Sequence, residues 1–199
     1  MAGGDVLQTQ PNPVIRKAQR LIGYKLILRN TSVADAEFIL RLRTDPKKSR
    51  YISPTHPDLL RQIQWLEQYA QNPDEAYFIA EDTSGEKVGT IRIYDADGDR
   101  FCFGSWIMKE GAAATHAAES VLMIYHYALD VLGFNRSYFA VRKANRSVWR
   151  FMEKFGGVRS RETDMDYWYE TQRTPVLASF RRLAHLLPNG IRVIHDPLS

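Results

Sequence analysis

Three stretches of the chain hold residue types that could do chemistry at a useful spacing. The first is Gly111-Ala112-Ala113-Ala114, a run of small residues followed at once by the apolar-periodic segment from Ala114 to Phe134. A helix that opens on such a run exposes unpaired backbone N–H groups and a positive dipole end, and small side chains let an anion such as a pyrophosphate approach them. The same residues would also let the helix pack closely on a sheet, and the run alone does not choose. His116 would stand in the first helical turn, where it can pair with a phosphate. The second stretch, residues 41–57, gathers Arg41, Arg43, Lys47, Lys48 and Arg50 and ends in a proline-flanked loop carrying His56. That charge suits a diphosphate, though a solvated helix end would carry it equally. His56 could take a proton near neutral pH, directly or through a water. The third stretch is NRSVWRFMEKFGG, with Asn145 at a helix start, where Asn caps well, and Gly156-Gly157 at its stop.

Other candidates carry less. Cys102 alternates with Phe101 and Phe103 on a strand and reads as packing. Asp166, Tyr167 and Tyr169 lie on a closing strand pair that could face a ligand, but packing explains each. A single cysteine excludes an internal disulfide framework and a cysteine-rich zinc site, and no metal is expected.

Period-two alternation predicts a strand at Lys25–Arg29. Tyr77–Glu81 and Lys87–Tyr94 around the turn Thr83–Glu86 read as a hairpin, with further strands at Arg100–Met108 and Ser137–Val141 and a closing pair at Val158–Glu162 and Met165–Glu170. Helices are expected from Ser32 or Asp35 to Asp45-Pro46, over 59–71 behind Asp58, from the small-residue run to Gly133, over Asn145–Phe155, and over Pro175–Leu187. Residues 47–57 read as a loop. Residues 1–22 read as an N-terminal arm, 23–171 as one domain, and 172–199 as a C-terminal helix and tail. The fold class is α+β.

The chain has 199 residues, with 27 Lys and Arg against 23 Asp and Glu for a net charge of +4. That length bounds it to one ordinary domain. The basic residues are scattered, with no interleaving of arginine and aromatics, so no nucleic-acid partner is expected. No window approaches a membrane-spanning length, and the N-terminus lacks a signal peptide's apolar core. The expectation is a reduced, cytoplasmic protein.

With these residues in view, the chain resembles the GNAT N-acetyltransferase superfamily over about residues 24–171. The order of elements is similar, Lys109, Ala112 and Ala114 followed by Thr115 resemble its acetyl-CoA motif, and Asn145 with Glu153, Lys154 and Gly156 resembles a second family pattern. The resemblance implies a mixed, mostly antiparallel sheet flanked by helices, with splayed central strands. It implies acetyl-CoA as donor, with the pyrophosphate on the amides of Glu110, Gly111, Ala112, Ala113, Ala114 and Thr115, near His116. The strand edge Trp106, Ile107 and Met108 would pair with pantetheine, and Asn145 would touch the cofactor arm. Ala112 stands where glycine is usual, at a cost only if that position needs a positive φ. Many members place a tyrosine acid seven residues after the motif asparagine. Here that residue is Met152, which cannot donate a proton.

The segment from Arg41 to Gly89 resembles amino-sugar-nucleotide N-acetyltransferases, in Arg43, Asp45-Pro46, His56, Trp65 and Tyr77-Phe78. This implies direct amine attack on the thioester. The acceptor would be an amine on a nucleotide-linked sugar, held by Arg43, Lys47, Lys48, Arg50 and His56, with His56 as base. Two alternatives stay open: a protein N-terminal acetyltransferase of the ribosomal-protein kind, and a degenerate acyl-CoA-binding protein without turnover. A dimer is possible.

Overall fold

A computed structural model describes residues 11–195. The chain begins with strands β1 (Ala18–Ile22) and β2 (Leu26–Asn30), then helices α1 (Ala36–Thr44), α2 (Pro46–Ser49) and α3 (Leu59–Gln71). Strands β3 (Ala76–Asp82), β4 (Lys87–Asp97) and β5 (Arg100–Met108) follow as a meander. Helix α4 (Ala114–His126) leads to β6 (Arg136–Arg142), then α5 (Arg146–Phe155), β7 (Gly157–Glu162) and β8 (Asp166–Gln172). The described chain ends with α6 (Arg173–Arg182) and β9 (Arg192–His195). The strands form one sheet in the order β7-β8-β6-β5-β4-β3-β2-β1-β9, antiparallel except for the pair β5–β6.

Alternation along β3 shows how the layers are built. Phe78 and Ala80 join the core beneath α4, with Tyr125, Leu122 and Phe101. Their neighbours Tyr77 and Ile79 point the other way, into a second cluster with Ile39 of α1 and Leu66 and Tyr69 of α3. So α4 covers one face, and α1 with α3 covers the other.

Two buried carboxylates fix the frame. Asp35 accepts from the two Nη atoms of Arg29 at 2.7 and 2.8 Å and from Lys87 at 2.6 Å. Burial alone would raise the Asp35 pKa, but these cations and the Ser32 amide pull it well below the usual carboxylate range. Glu119 of α4 is fully buried, and its Oε1 accepts from the amides of Tyr24, Lys25 and Leu26 at 2.6, 2.8 and 3.1 Å. A Cβ on Gly23 would lie 2.5 Å from that oxygen, so glycine is what lets the β1–β2 turn close over the carboxylate.

The structure corrects the sequence reading at the flanks and in one loop. The arm read over residues 1–22 is in part strand β1, and the C-terminal tail contains β9; residues 1–10 and 196–199 of those segments lie outside the described residues. The loop read over 47–57 begins with the single-turn helix α2, in which Asp45 caps Lys47 N at 2.7 Å and Pro46 occupies the first turn. Helix α6 starts at Arg173 and stops at Arg182, short of the expected Leu187. Among the described residues no helix is long and apolar enough to cross a membrane.

Candidate functional site

The centre of the sheet is split. β5 pairs with β6 only through Arg100, Phe101 and Cys102, opposite Arg136, Ser137 and Tyr138. Past Cys102 the edge of β5 that faces β6 makes no ladder among the described residues, so alternate residues of the stretch Trp106–Met108 leave their backbone groups open on that edge to an extended ligand. On its other edge β5 bulges against β4. Thr90 faces Ile107 and Arg92 faces Gly104, so Ser105 and Trp106 together stand opposite Ile91. Ser105 takes φ 46, a left-handed conformation that costs a non-glycine residue about 1–3 kcal/mol. Thr90 Oγ1 holds the Ser105 carbonyl at 2.8 Å.

The small-residue run follows directly. Gly111 carries the positive φ, +81, and Ala112 does not, so alanine at 112 is unstrained. Ala113 is the N-cap of α4 and has no side chain to cap it, which leaves first-turn amides at Ala114 and Thr115 available to an anion. Both of those residues are exposed. Lys109 donates its amide to Val88 O at 2.8 Å and pairs its ammonium with Glu86. Glu110 pairs with Lys47 at 2.6 Å. His116 is half-buried, and its buried Nδ1 has no hydrogen-bond partner among the described residues. Trp106 packs between Phe103 and Phe151 and donates to Ser120 Oγ at 3.1 Å. Asn145 stands at the N-cap of α5, yet its side chain caps no amide and instead accepts from Ser147 Oγ at 3.2 Å. Met152 is fully buried, and no proton donor reaches the split from that position.

A cleft of about 380 Å³ opens beside the bulge, on the face carrying α1 and α3. Its walls include Arg43, His56, Arg61, Trp65, Tyr77, Arg92, Tyr94 and Ser105, and no carboxylate is among the described residues that line it. Arg43 is held by neutral groups: it donates to Thr55 Oγ1 at 2.7 Å and Ser53 Oγ at 3.0 Å, and reaches Ser105 Oγ at 3.5 Å. Arg92 lies between the rings of Trp65 and Tyr94 and pairs with the buried Glu75 behind the wall. Tyr77 forms part of the floor, and burial pushes its phenol pKa up. Tyr94 is likewise pushed up by burial and by the adjacent Cys102.

Of the basic residues expected at an acceptor, only Arg43 reaches this cleft, together with His56. Lys47 turns to Glu110 in the small-residue loop, Arg50 stacks on Tyr51, and Lys48 sits on α2 outside the walls. A sequence run gathers charge, but a helix turn disperses it around an axis. Sequence reasoning missed Arg61, Arg92 and Tyr94. Arg61 has the register of an exposed helix residue, and Arg92 and Tyr94 alternate on β4 as any two-faced strand would; the only cue was that both share one face.

Known proteins share this fold. The family model for the acetyltransferase (GNAT) domain matches residues 25–158. No curated protein matches. Among solved structures, apo FdhC, described as a nucleotide-linked sugar GNAT, is 32% identical over 88% of this chain and 99% of its own, with a TM-score of 0.74. A GCN5-related N-acetyltransferase from Brucella melitensis is 17% identical over 92% of this chain and 91% of its own, with a TM-score of 0.76. The spermidine N-acetyltransferase SpeG from Vibrio cholerae, in a variant form, is 16% identical over 77% of this chain and 96% of its own, with a TM-score of 0.67. The latter two likenesses concern the fold. The chain belongs to the GNAT family of acetyltransferases.

Proposed function

We propose that the protein transfers the acetyl group of acetyl-CoA to an amine on a nucleotide-linked sugar. The observation that carries this reading is Arg43: held only by neutral groups, it stands in a cleft wall with Arg61, Arg92 and His56 and no carboxylate among the described lining residues, while Arg61 and Arg92 pair with Asp58 and Glu75 outside that wall. Such a wall attracts a diphosphate and repels a polyamine or a protein N-terminus, both cationic. Trp65 and Tyr94 hold the Arg92 guanidinium between their rings and so fix it in the wall. The likeness to FdhC supports the same acceptor class.

On this reading the donor lies along the split, with its pyrophosphate at the first-turn amides of Ala114 and Thr115 and its pantetheine on the free edge of Trp106–Met108. Asn145, whose Nδ2 makes no bond among the described residues, reaches the cofactor arm. The neutral amine attacks the thioester carbonyl carbon, a C–N bond forms, the C–S bond breaks, and CoA leaves as thiolate. His56, exposed at the cleft rim, takes the proton lost by nitrogen, directly or through one water. The thiolate takes its proton from solvent, because Met152 supplies none.

Calorimetry with UDP, dTDP and spermidine tests the acceptor class without turnover. The nucleotide diphosphates should bind, and Arg43→Ala and Arg61→Ala should each weaken them by about tenfold, the loss of one exposed charged contact to phosphate. Binding of spermidine but of neither nucleotide overturns the assignment.

A further inference from the structure

We infer that Tyr94 is a catalytic residue, its hydroxyl donating a hydrogen bond to the thioester carbonyl oxygen as the amine adds. The inference rests on the acetyl-transfer reading above, but not on the identity of the acceptor. Three observations place the phenol. The Tyr94 side chain leans from β4 over the neighbouring strand β5 and sets its hydroxyl against Gly104, where a Cβ would lie 2.8 Å from Oη and 3.1 Å from Cε1. Gly104 immediately precedes the bulge residues Ser105 and Trp106, at the point where β5 has parted from β6. Tyr94 also lines the same cleft as His56 and Arg43. The hydroxyl therefore stands where an acyl group threaded between the split strands would meet an acceptor in the cleft.

The environment suits a donor that keeps its proton. Burial and the adjacent Cys102, whose sulfur is the hydroxyl's hydrogen-bond partner, disfavour the phenolate, and sulfur is a weak acceptor that a thioester carbonyl can replace. The Cys102 thiol is itself pushed up to about 11 by burial, so it too stays neutral. Tyr94 thus stabilises charge by hydrogen bonding, with no proton transfer: negative charge grows on the carbonyl oxygen when nitrogen adds and returns to the carbonyl when the C–S bond breaks. A fixed donor of this kind contributes most where the charge develops. Gly104 is what admits it; any side chain there would push the ring aside.

The test reads the bond itself. Isotope-edited infrared spectra of [1-13C]acetyl-CoA bound to the protein should show the thioester carbonyl at lower frequency in the parent than in Tyr94→Phe. Gly104→Ala should shift it toward the Tyr94→Phe value, since the displaced ring keeps its hydroxyl but loses its aim. Tyr94→Phe should also lower kcat by about a hundredfold with acetyl-CoA affinity unchanged, the usual loss for one such donor. The double variant should be little worse than Tyr94→Phe alone. Identical carbonyl frequencies in parent and Tyr94→Phe, with acetyl-CoA bound to both, overturn the role of Tyr94 and leave the acetyltransferase reading intact. Failure of the parent to bind acetyl-CoA overturns both.

Discussion

Replacing Ala114 by Glu separates binding of the donor from stability of the fold. Ala114 is exposed in the first turn of α4, and Ala113 before it has no capping side chain. A carboxylate there favours the helix dipole by about 0.5 kcal/mol, so the fold should be unharmed. For the donor the sign reverses. At about 5 Å from a phosphate and an effective dielectric near 20, the carboxylate is repelled by about 3 kcal/mol. Screening at physiological salt trims this to about 2 kcal/mol. That is a roughly thirtyfold rise in Kd. Calorimetry with CoA on parent and Ala114→Glu, with thermal melts of both, measures the two effects side by side. A Kd within about threefold of the parent, in a variant that melts no lower, would refute placing the pyrophosphate at this helix end.

Other expectations follow from the buried groups. Glu119→Ala strips three backbone amides of a charged acceptor and should lower stability by about 3 kcal/mol in urea titrations; a loss under about 1 kcal/mol contradicts the anchoring role. Asp35 has a folded pKa below its unfolded value, so its stabilisation is complete above the unfolded pKa near 3.9 and is lost as pH falls toward the folded one. Asp35→Asn should therefore flatten the fall in unfolding free energy measured from about pH 5 downward, and an unchanged slope would count against the network. Met152→Leu exchanges one fully buried apolar side chain for another of similar volume and should keep most activity, whereas a loss of kcat beyond about a hundredfold in a folded variant would show chemistry at that position.

Most of the layer order was legible because β2 and β6 alternate, β3 to β5 read as apolar runs between turn signals, and α4 carries a continuous apolar stripe. The flanking strands escaped for separate reasons. β1 has a register shift between Ala18 and Arg20, which breaks the alternation, and β9 is a short edge strand with no buried residue. At Asp45-Pro46 the sequence signal for a helix stop was also the signal for a new start, and α2 used it both ways. The small-residue run was legible as the opening of α4 with free first-turn amides, since backbone amides need no particular side chain. The cleft beside the bulge was not. It draws Arg43 from α1, Arg61 and Trp65 from α3, and Arg92 and Tyr94 from β4, and only the packing of α1 and α3 over β3 and β4 brings them together. Gly104 shows the limit well: a glycine in a strand marks a close approach, but not the side chain that approaches.

The central claim is that the carboxylate-free cleft selects an anionic, nucleotide-linked amine. Its most direct test is thiol release from acetyl-CoA, comparing kcat/KM for UDP- and dTDP-linked amino sugars with spermidine and an N-terminal peptide under one buffer and salt. The account predicts that a nucleotide-linked amino sugar is preferred over both cationic acceptors, and that the preference shrinks in Arg43→Ala. A higher kcat/KM for spermidine or the peptide than for every nucleotide-linked sugar would contradict it.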